Sequence, residues 1–360
     1  MKKISKIGNV TIGFGMPPFI IAEVSGNHNG DINRALKLID IAKESGANAV
    51  KFQTFTPDSL TLNTNKNEFT LSSGTWKGQN LYELYKKTQT PLEWFPTLFN
   101  HAKKINIIAF SSAFDTEMVD FLENLKVPAY KIASNEFSDF PLIKRIAQTK
   151  KPVIMSTGTS TYTEIKETLN FARSCGIKNP IVLHCISAYP AKSNQLNLNT
   201  IQEFKNKFNV ISGFSDHTLG NTSSIASVAL GSSVIEKHIT IDRNDGGPDS
   251  SFSLEPQEFK SLCKNCYTAW ESLGSVKFGG EANLKKNNIF TRQYWSLKNI
   301  KKGEILDNTN IKSIRAPSDS GGVSTRYFAK VINSTALKDI AKHSPIFLTD
   351  INSKEDNLDE

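Results

Sequence analysis

The stretch FIIAEVSGNHNGDINRALKLIDIA, residues 19–42, contains one strand and one helix of a repeating pattern. Its first six residues, Phe19–Val24, form an apolar run that is typical of a strand buried on both faces. Apolar residues then recur at helical spacing from Ala35 to Ala42, which predicts a helix with one apolar face. The stretch therefore predicts a β-strand followed by an α-helix.

Seven similar apolar runs follow along the chain, each before a segment with helical spacing. Strands that alternate with helices predict a parallel sheet, and eight repeats at this length favour a closed TIM (β/α)₈ barrel over an open doubly wound sheet. The eight predicted strands are Phe19–Val24, Asn48–Gln53, Ile107–Ser111, Ala129–Ala133, Pro152–Ser156, Ile181–Ile186, Val210–Phe214 and Val234–Ile239.

The chain has 360 residues, more than a barrel of ~250 residues requires. We assign residues 1–280 to the barrel and 281–292 to a Lys/Asn-rich linker. Residues 293–352 are predicted to form a small second domain, which begins with a strand at Tyr294–Ile300. Residues 353–360 are a polar tail.

Composition excludes several classes of protein. Hydrophobic residues make up 38% and charged residues 22%, which is typical of a globular chain. No apolar run approaches the ~20 residues that span a bilayer, and no secretory signal is evident, so we expect no membrane partner and a cytoplasmic location. The net charge of +8 is spread along the chain, which favours anionic small ligands over nucleic acid.

Two sequence features have competing interpretations. Cys263 and Cys266 have the spacing of a redox or zinc motif, but they lie in a helical pattern without a second pair, which favours ordinary thiols. About 40 residues, 54–91, separate the second strand from its helix. Such a loop is a candidate lid or substrate wall, and the alternative is a surface insertion without a role.

Polar residues cluster at the ends of all eight predicted strands, where barrel enzymes keep their active sites. Packing alone does not explain this placement, because unpaired buried polar groups are costly. The polar residues at or after the strand ends are Glu23, Lys51, Gln53, Ser111, Ser112, Lys131, Ser134, Glu136, Ser156, Thr157, Ser187, Tyr189, Ser215, Asp216, His217, Glu236 and His238.

The most specific candidates for metal binding are His217 and His238, which end neighbouring strands. Two imidazoles there are able to share one divalent ion and leave positions open for substrate and water. Asp249, in the loop after the eighth strand, is a candidate ligand or proton acceptor. His184 lies earlier in its strand, which favours a role in the core.

Lys51 and Lys131 predict a site for an anion, since amines and hydroxyls that converge suit a phosphate or a carboxylate. The alternative for the nearby hydroxyls is helix capping, with Thr163 as a cap, but capping does not explain the lysines. The residues alone thus indicate a metal-dependent barrel enzyme that acts on a phosphorylated or carboxylated small molecule. The hydroxyls that we expect to bind the anion together with the two lysines are those of Ser134, Ser156 and Ser215.

The motifs taken together resemble the sialic acid synthase family, which condenses phosphoenolpyruvate with an amino sugar to make nonulosonic acids. The resemblance covers the whole barrel, and the stretch IKKGEILDNTNIKSIRAP, residues 300–317, resembles the family's antifreeze-like (SAF) domain. The motifs are IAEVSGNHNG (21–30), KFQTF (51–55), FSSAFD (110–115), YKIASNE (130–136), MSTG (155–158), SAYP (187–190), GFSDHT (213–218), EKHIT (236–240) and GGPD (246–249).

Residues 57–94 and 247–254 resemble the pseudaminic acid synthase branch of this family. That branch implies a 2,4-diacetamido-2,4,6-trideoxy hexose of the altrose type, with C–O cleavage and phosphate release, and a product used for surface glycans or flagellin. Sialic acid synthases have an asparagine where Ser187 stands. Two alternatives remain: an N-acetylneuraminate or legionaminate synthase, and a non-catalytic sugar-binding protein, which the filled catalytic positions disfavour.

The resemblance also implies roles. His217 and His238 match ligands of a divalent metal, usually Mn²⁺, with Mg²⁺ or Co²⁺ as alternatives. Arg315 matches an arginine that reaches the sugar in the other protomer of a domain-swapped homodimer, although the family's Arg-Pro-Gly reads Arg-Ala-Pro here. Catalytic positions match Glu23 and Asp249, phosphoenolpyruvate-binding positions match Lys51, Ser112, Lys131, Ser134, Ser156 and Ser215, and further sugar-binding positions match Gln53, Glu136, Ser187 and Tyr189.

Overall fold

The computed structural model describes residues 3–278 and 290–352. The chain divides into two compact units, Met1–Gly274 and Ser275–Glu360. Most of the predicted linker and the whole predicted tail lie outside the described residues. Within the described ranges, no helix is long and apolar enough to cross a bilayer.

The first unit begins with a short antiparallel hairpin, β1 (Ile4–Ile7) and β2 (Val10–Gly13). Eight parallel strands then close into a barrel in which the last strand pairs with the first. The predicted (β/α)₈ barrel is confirmed, and every predicted strand agrees with the structure to within two residues at each end. The strands are β3 (Phe19–Glu23), β4 (Ala49–Thr54), β5 (Ile108–Ala113), β6 (Tyr130–Ile132), β7 (Val153–Ser156), β8 (Ile181–Cys185), β9 (Ile211–Asp216) and β10 (Val234–His238).

Helices surround the barrel and pack on the outward side chains of the strands. Two short helices, α2 and α3, lie in the predicted insertion, which is therefore not structureless. The helices are α1 (Ile32–Glu44), α2 (Pro57–Leu60), α3 (Leu81–Thr88), α4 (Phe95–Lys104), α5 (Thr116–Asn124), α6 (Phe140–Gln148), α7 (Tyr162–Ser174), α8 (Thr200–Phe208), α9 (Thr222–Ala229) and α10 (Pro256–Leu273).

Strand alternation places the polar residues inside the barrel. On β4, Val50 and Phe52 belong to the core between strands and helices, whereas Ala49 belongs to a second core inside the barrel. Because side chains alternate along a strand, Lys51 and Gln53 share the inward face with Ala49. The interior is therefore apolar near the strand starts and polar near the strand ends, where a barrel carries its active site.

The hairpin covers the N-terminal end of the barrel. Ile7 and Ile12 are fully buried and pack with inward residues of the strands, including Phe19 and Ile154. Burying each such side chain contributes about 1.5–3 kcal/mol. The sequence analysis did not predict this hairpin, because two four-residue strands with mixed polarity give a weak pattern.

Two predictions about the outer layer can be compared with the structure. His184 is buried, approaches the Leu196 carbonyl oxygen within 2.5 Å, and packs near Phe204 and Phe214 outside the cavity described below, so its predicted core role is confirmed. Cys263 and Cys266 are buried free thiols on α10, and burial raises the pKa of each to about 12. Such thiols are unreactive, as the helical pattern indicated.

The second unit contains an antiparallel pair, β11 (Phe290–Ser296) and β12 (Ile311–Pro317), a short helix α11 (Phe328–Val331), and the strands β13 (Thr335–Ala336) and β14 (Ile351–Asn352). The predicted strand Tyr294–Ile300 is correct only as far as Ser296. Beyond it the chain bends, and Ile300 pairs with Ile340 and joins the core of the unit instead of extending β11.

Candidate active site

A cavity of about 690 Å³ opens at the C-terminal ends of the barrel strands. It is lined by most of the strand-end residues that the sequence analysis named, and Ser111, Thr157 and Asp216 are not among its lining residues. The lining residues that were named are Glu23, Lys51, Gln53, Ser112, Lys131, Ser134, Glu136, Ser156, Ser187, Tyr189, Ser215, His217, Glu236, His238 and Asp249. The structure therefore brings together side chains that are far apart in the sequence.

Two buried lysines lie at the floor of the cavity, one on β4 and one on β6. The Nζ atom of Lys51 is 2.8 Å from Oε2 of Glu23 and 3.6 Å from Oε1 of Glu236. The Nζ atom of Lys131 is 3.8 Å from the same oxygen of Glu236. One carboxylate thus lies between two ammonium groups, and a multiply charged anion is able to compete for both.

Burial and charge act in opposite directions on these groups. Burial lowers the pKa of Lys51, but Glu23 and Glu236 raise it more, so its pKa lies above the usual value. Burial also lowers the pKa of Lys131, and Glu236 offsets this only in part. Burial would raise the pKa of Glu236, yet Lys131 and Lys51 hold it below its usual value. Glu236 is therefore ionised at neutral pH and anchors the lysines.

Hydroxyl groups surround the lysines. The Nζ atom of Lys51 donates to Ser112 Oγ at 3.1 Å, and Ser215 Oγ donates to Oε1 of Glu236 at 3.2 Å. The Oγ atom of Ser156 is buried and has no hydrogen-bond partner among the described residues. A buried hydroxyl without a partner is costly, so this atom is well placed for a ligand oxygen.

The turn after β7 lies close to the loop after β6. Gly158 has φ +47°, and a Cβ atom there would lie 2.4 Å from the Cβ of Ser134 and 2.9 Å from Oγ of Ser187, so only glycine fits. The predicted cap Thr163 is wrong. Thr161 is the N-cap of α7, because its hydroxyl accepts the backbone N–H three residues later in a capping box.

The two histidines face each other with ring centroids 5.4 Å apart. The Nδ1 atom of His217 is 3.0 Å from the Ile186 carbonyl oxygen, which only accepts, so Nδ1 carries a proton and Nε2 is the nitrogen left for a metal. Burial lowers the pKa of His217, but Cys185 and this carbonyl raise it more, so its pKa lies above the usual value. Burial lowers the pKa of His238 well below its usual value, with repulsion from His217 and Lys51 adding to the effect. His238 is therefore neutral, the form that binds a metal.

This pair fits a metal with open coordination positions. The Nδ1 atom of His238 is buried and lacks a hydrogen-bond partner within the described residues. In the same ranges, no group of three or more His, Cys, Asp and Glu side chains is arranged to hold an ion. Two protein ligands leave several positions for substrate and water, which is an arrangement of catalytic rather than structural sites.

A chain of hydrogen bonds links the two carboxylates that were predicted to be catalytic. Gln53 Nε2 donates to Glu23 Oε1 at 2.8 Å and to Ser25 Oγ at 3.0 Å, and Ser25 Oγ donates to Oδ2 of Asp249. Burial raises the pKa of both Glu23 and Asp249. Carboxyl groups with raised pKa values are suited to give and take protons near neutral pH.

The insertion forms one side of the cavity mouth. Trp76 Nε1 donates to the Pro248 carbonyl oxygen at 3.0 Å, and the Trp76 and Tyr189 rings lie 5.5 Å apart. The hydroxyl of Thr75 donates to the Tyr189 carbonyl oxygen. The insertion thus contacts two loops across the mouth and adds an apolar wall, whose members include Phe55, Leu60, Leu71, Leu81, Leu84 and Tyr85.

A fourth carboxyl group, that of Glu136, lies beside this wall. Burial raises the pKa of Glu136 to about 7, and its Oε2 atom has no hydrogen-bond partner within the described residues. Burial and the nearby Glu136 together raise the pKa of Tyr85. Below about pH 7 the Glu136 carboxyl is therefore neutral and able to donate a hydrogen bond.

Glu236 and Ser25 belong to the site, but the sequence analysis gave neither of them a role. Glu236 contacts both buried lysines, and Ser25 bridges Gln53 and Asp249. A signal existed for Glu236, because it precedes His238 by two residues and must share its face of β10.

Arg315 belongs to the second unit. It is exposed on β12, opposite Arg292. Its role remains a prediction.

Comparisons with known proteins agree with the geometry. A model of the NeuB family matches residues 38–278, and a model of the SAF domain matches residues 292–352. The pseudaminic acid synthase of Campylobacter jejuni (strain 81-176) is 42% identical over 89% of this chain and 93% of its own length. The N,N'-diacetyllegionaminic acid synthase of Campylobacter jejuni (strain NCTC 11168) is 39% identical over 89% of this chain and 96% of its own.

A solved structure shows the same relationship. The N-acetylneuraminic acid (sialic acid) synthetase of Leptospira borgpetersenii, in complex with citrate, superposes with a TM-score of 0.71 at 33% identity. The match covers 80% of this chain and 95% of that one. The predicted sialic acid synthase resemblance is confirmed: the chain belongs to the NeuB family and carries a C-terminal SAF domain.

Proposed function

We propose that this protein is a pseudaminic acid synthase. It condenses phosphoenolpyruvate with a 2,4-diacetamido-2,4,6-trideoxy hexose of the altrose type and releases phosphate and a nonulosonic acid. The observation that carries the proposal is that two buried lysines and two buried histidines face one cavity of about 690 Å³. Such a cavity has room for a sugar beside a small phosphorylated acid.

Phosphoenolpyruvate binds at the floor of the cavity. Lys51 and Lys131 receive its negative charge, with the unpaired Ser156 hydroxyl as a further donor. The hydroxyls of Ser112, Ser134 and Ser215 complete this site. The ammonium groups also stabilise the charge that develops on the departing phosphate.

The reaction makes one carbon–carbon bond and breaks one carbon–oxygen bond. C3 of phosphoenolpyruvate attacks the aldehyde carbon of the open-chain sugar, whose oxygen takes up a proton. Water adds to the positively charged C2 and loses a proton, and the C2–O bond to phosphate breaks as the remaining C2 hydroxyl loses its proton and becomes a keto group. Glu23 and Asp249 exchange these protons, and the Gln53–Ser25 chain holds the two carboxyl groups in place.

His217 and His238 would hold a divalent metal, with Mn²⁺ favoured and Mg²⁺ or Co²⁺ as alternatives. When bound, such an ion supplies Lewis-acid polarisation of the aldehyde. Burial keeps His238 neutral, and the Ile186 carbonyl holds a proton on Nδ1 of His217, so that Nε2 of His217 is the nitrogen left for a metal; both residues line the cavity.

The sugar binds under the insertion. Gln53, Glu136, Ser187 and Tyr189 supply polar contacts, and the apolar wall accommodates its methyl groups. The similarity to a legionaminate synthase, at 39% identity, supports a second candidate of the same class. The choice of sugar therefore needs a direct measurement.

Phosphate release from phosphoenolpyruvate distinguishes these candidates. The purified protein is incubated with the altrose-type sugar, with its epimers and with N-acetylmannosamine, each with and without a chelator. We expect the highest kcat/KM for the altrose-type sugar and loss of activity after chelation. A preference for N-acetylmannosamine or for an epimer would overturn the pseudaminic assignment. Absence of phosphate release with every sugar would refute the proposed enzymatic activity.

We further propose that the protein acts in the cytoplasm as a domain-swapped homodimer in which Arg315 of one chain completes the site of the other. Arg315→Ala and His217→Ala chains, each inactive alone, are co-expressed with different tags. If Arg315 acts across the dimer, the mixture recovers about one quarter of wild-type activity, because half the dimers are mixed and each has one complete site. Absence of recovery in isolated mixed dimers would refute this arrangement.

A further inference from the structure

A buried ion pair lies behind the two histidines, outside the cavity. The Nζ atom of Lys237 is 3.0 Å from Oδ2 of Asp216, and both side chains are 0% exposed. The two residues are direct partners in the β9–β10 ladder. Each immediately precedes a candidate metal ligand, His217 or His238. Because side chains alternate along a strand, Asp216 and Lys237 face the helices while the imidazoles face the cavity.

The ion pair holds the backbone directly after His217. Oδ1 of Asp216 accepts from the backbone N–H of Thr218 at 2.9 Å and from its hydroxyl at 2.8 Å. Nζ of Lys237 donates to the carbonyl oxygen of Thr218 at 2.5 Å. Ser224 Oγ donates to Oδ2 of Asp216 at 2.5 Å and connects the pair to α9. The peptide groups on either side of Thr218, the residue after His217, are therefore tied to Asp216 and to the strand that carries His238.

Stability does not explain why such a pair is present. Taking two charges out of water costs several kcal/mol per ion, and replacing a buried pair by neutral groups of similar volume is often neutral or stabilising. The arrangement differs from an ordinary core pair because its hydrogen bonds converge on one residue, Thr218, directly after a histidine of the site.

We propose that Asp216 and Lys237 are positioning residues that set the separation and orientation of the His217 and His238 imidazoles for a shared divalent ion. The inference rests on the proposed function, because it needs the two histidines to bind one metal. It goes beyond that function, because it assigns metal affinity to a pair of residues that touch neither the metal nor the substrates.

The test measures Mn²⁺ binding to the full-length protein by calorimetry, with thermal unfolding in parallel. The double variant Asp216→Asn/Lys237→Met removes both charges and keeps the side-chain volumes. We expect it to fold and to bind Mn²⁺ about 10- to 100-fold more weakly, the range typical of lost support around metal ligands. The Co²⁺ absorption spectrum should change as well, because it reports coordination geometry.

A matched control removes a different ion pair of the barrel unit, that of Glu123 and Lys151. The Glu123→Gln/Lys151→Met variant should bind Mn²⁺ like the wild type. Should the first double variant fail to fold, Ser224→Ala removes one hydrogen bond to Asp216 and should weaken Mn²⁺ binding about 2- to 10-fold.

The proposal is overturned if the folded double variant binds Mn²⁺ with wild-type affinity. The same holds for Ser224→Ala where that variant is used, and either result leaves the proposed function intact. A different result would refute the metal site itself, and the proposal with it. This result is that the wild type does not bind Mn²⁺ and that the His217→Ala variant has the same Mn²⁺ affinity as the wild type.

Discussion

Replacing Lys131 by methionine removes one of the two ammonium groups at the cavity floor and keeps the side-chain volume. The Nζ atom lies 3.8 Å from Oε1 of Glu236, which indicates how closely a ligand oxygen approaches it. At an effective dielectric constant of about 20, unit charges at this separation interact by about 4 kcal/mol. Lys51 remains and takes over part of this interaction, so we expect transition-state stabilisation to fall by about 2–4 kcal/mol. This corresponds to a decrease of roughly 30- to 1,000-fold in kcat/KM for phosphoenolpyruvate.

The assay is steady-state phosphate release, with each substrate varied at saturating concentrations of the other. The KM for the sugar should change by less than about 3-fold, because the sugar does not contact this ammonium group. Lys151→Met is the matched control, since it removes a partly buried lysine whose partner is Glu123, and it should leave both constants unchanged. An equal rise in KM for the two substrates would refute the assignment of Lys131 to the phosphate.

Three further results are expected. His217→Ala and His238→Ala should each abolish activity while the circular dichroism spectrum stays that of a folded barrel; full activity of either would remove the metal from the mechanism. Burial raises the pKa of Glu136 from 4.5 to about 7, so this carboxyl loses its proton more readily in the unfolded chain than in the folded one. The free energy of unfolding therefore falls as the pH rises from 4.5 to 7. Glu136→Gln should therefore raise Tm at pH 8 by at least roughly 2–4 °C and leave it unchanged at pH 4, and an equal shift at both pH values would contradict this. Trp76→Ala should raise the KM for the sugar about 10-fold, because the hydrogen bond and the ring contact of Trp76 are lost, and should leave the KM for phosphoenolpyruvate unchanged. An equal rise in both KM values would contradict the role of the apolar wall in sugar binding.

Strand patterns made most of the barrel predictable. The apolar runs located all eight strands, and alternation places Glu23, Lys51 and His238 on the inward face. The capping error was avoidable, because Thr161 has the spacing of a capping box to Glu164 whereas Thr163 is its neighbour.

Other features depend on tertiary contacts that a single sequence does not display. Glu236 is recognisable as a central residue only when β4 and β6 bring two lysines to it. The end of β11 at Ser296 depends on the pairing of Ile300 with Ile340, which is 40 residues away. Such long-range pairings override local patterns.

The hairpin of β1 and β2 has a consequence for the order in which two substrates meet. Ile7 and Ile12 cover the N-terminal end of the barrel, so in the part that the structure describes both substrates use the mouth at the opposite end. Under the proposed function, the ligand held by the buried lysines is then expected to bind first, because the sugar lies above it. The proposal thus predicts ordered binding, and an excess of sugar alone should slow turnover by occupying the passage that phosphoenolpyruvate needs.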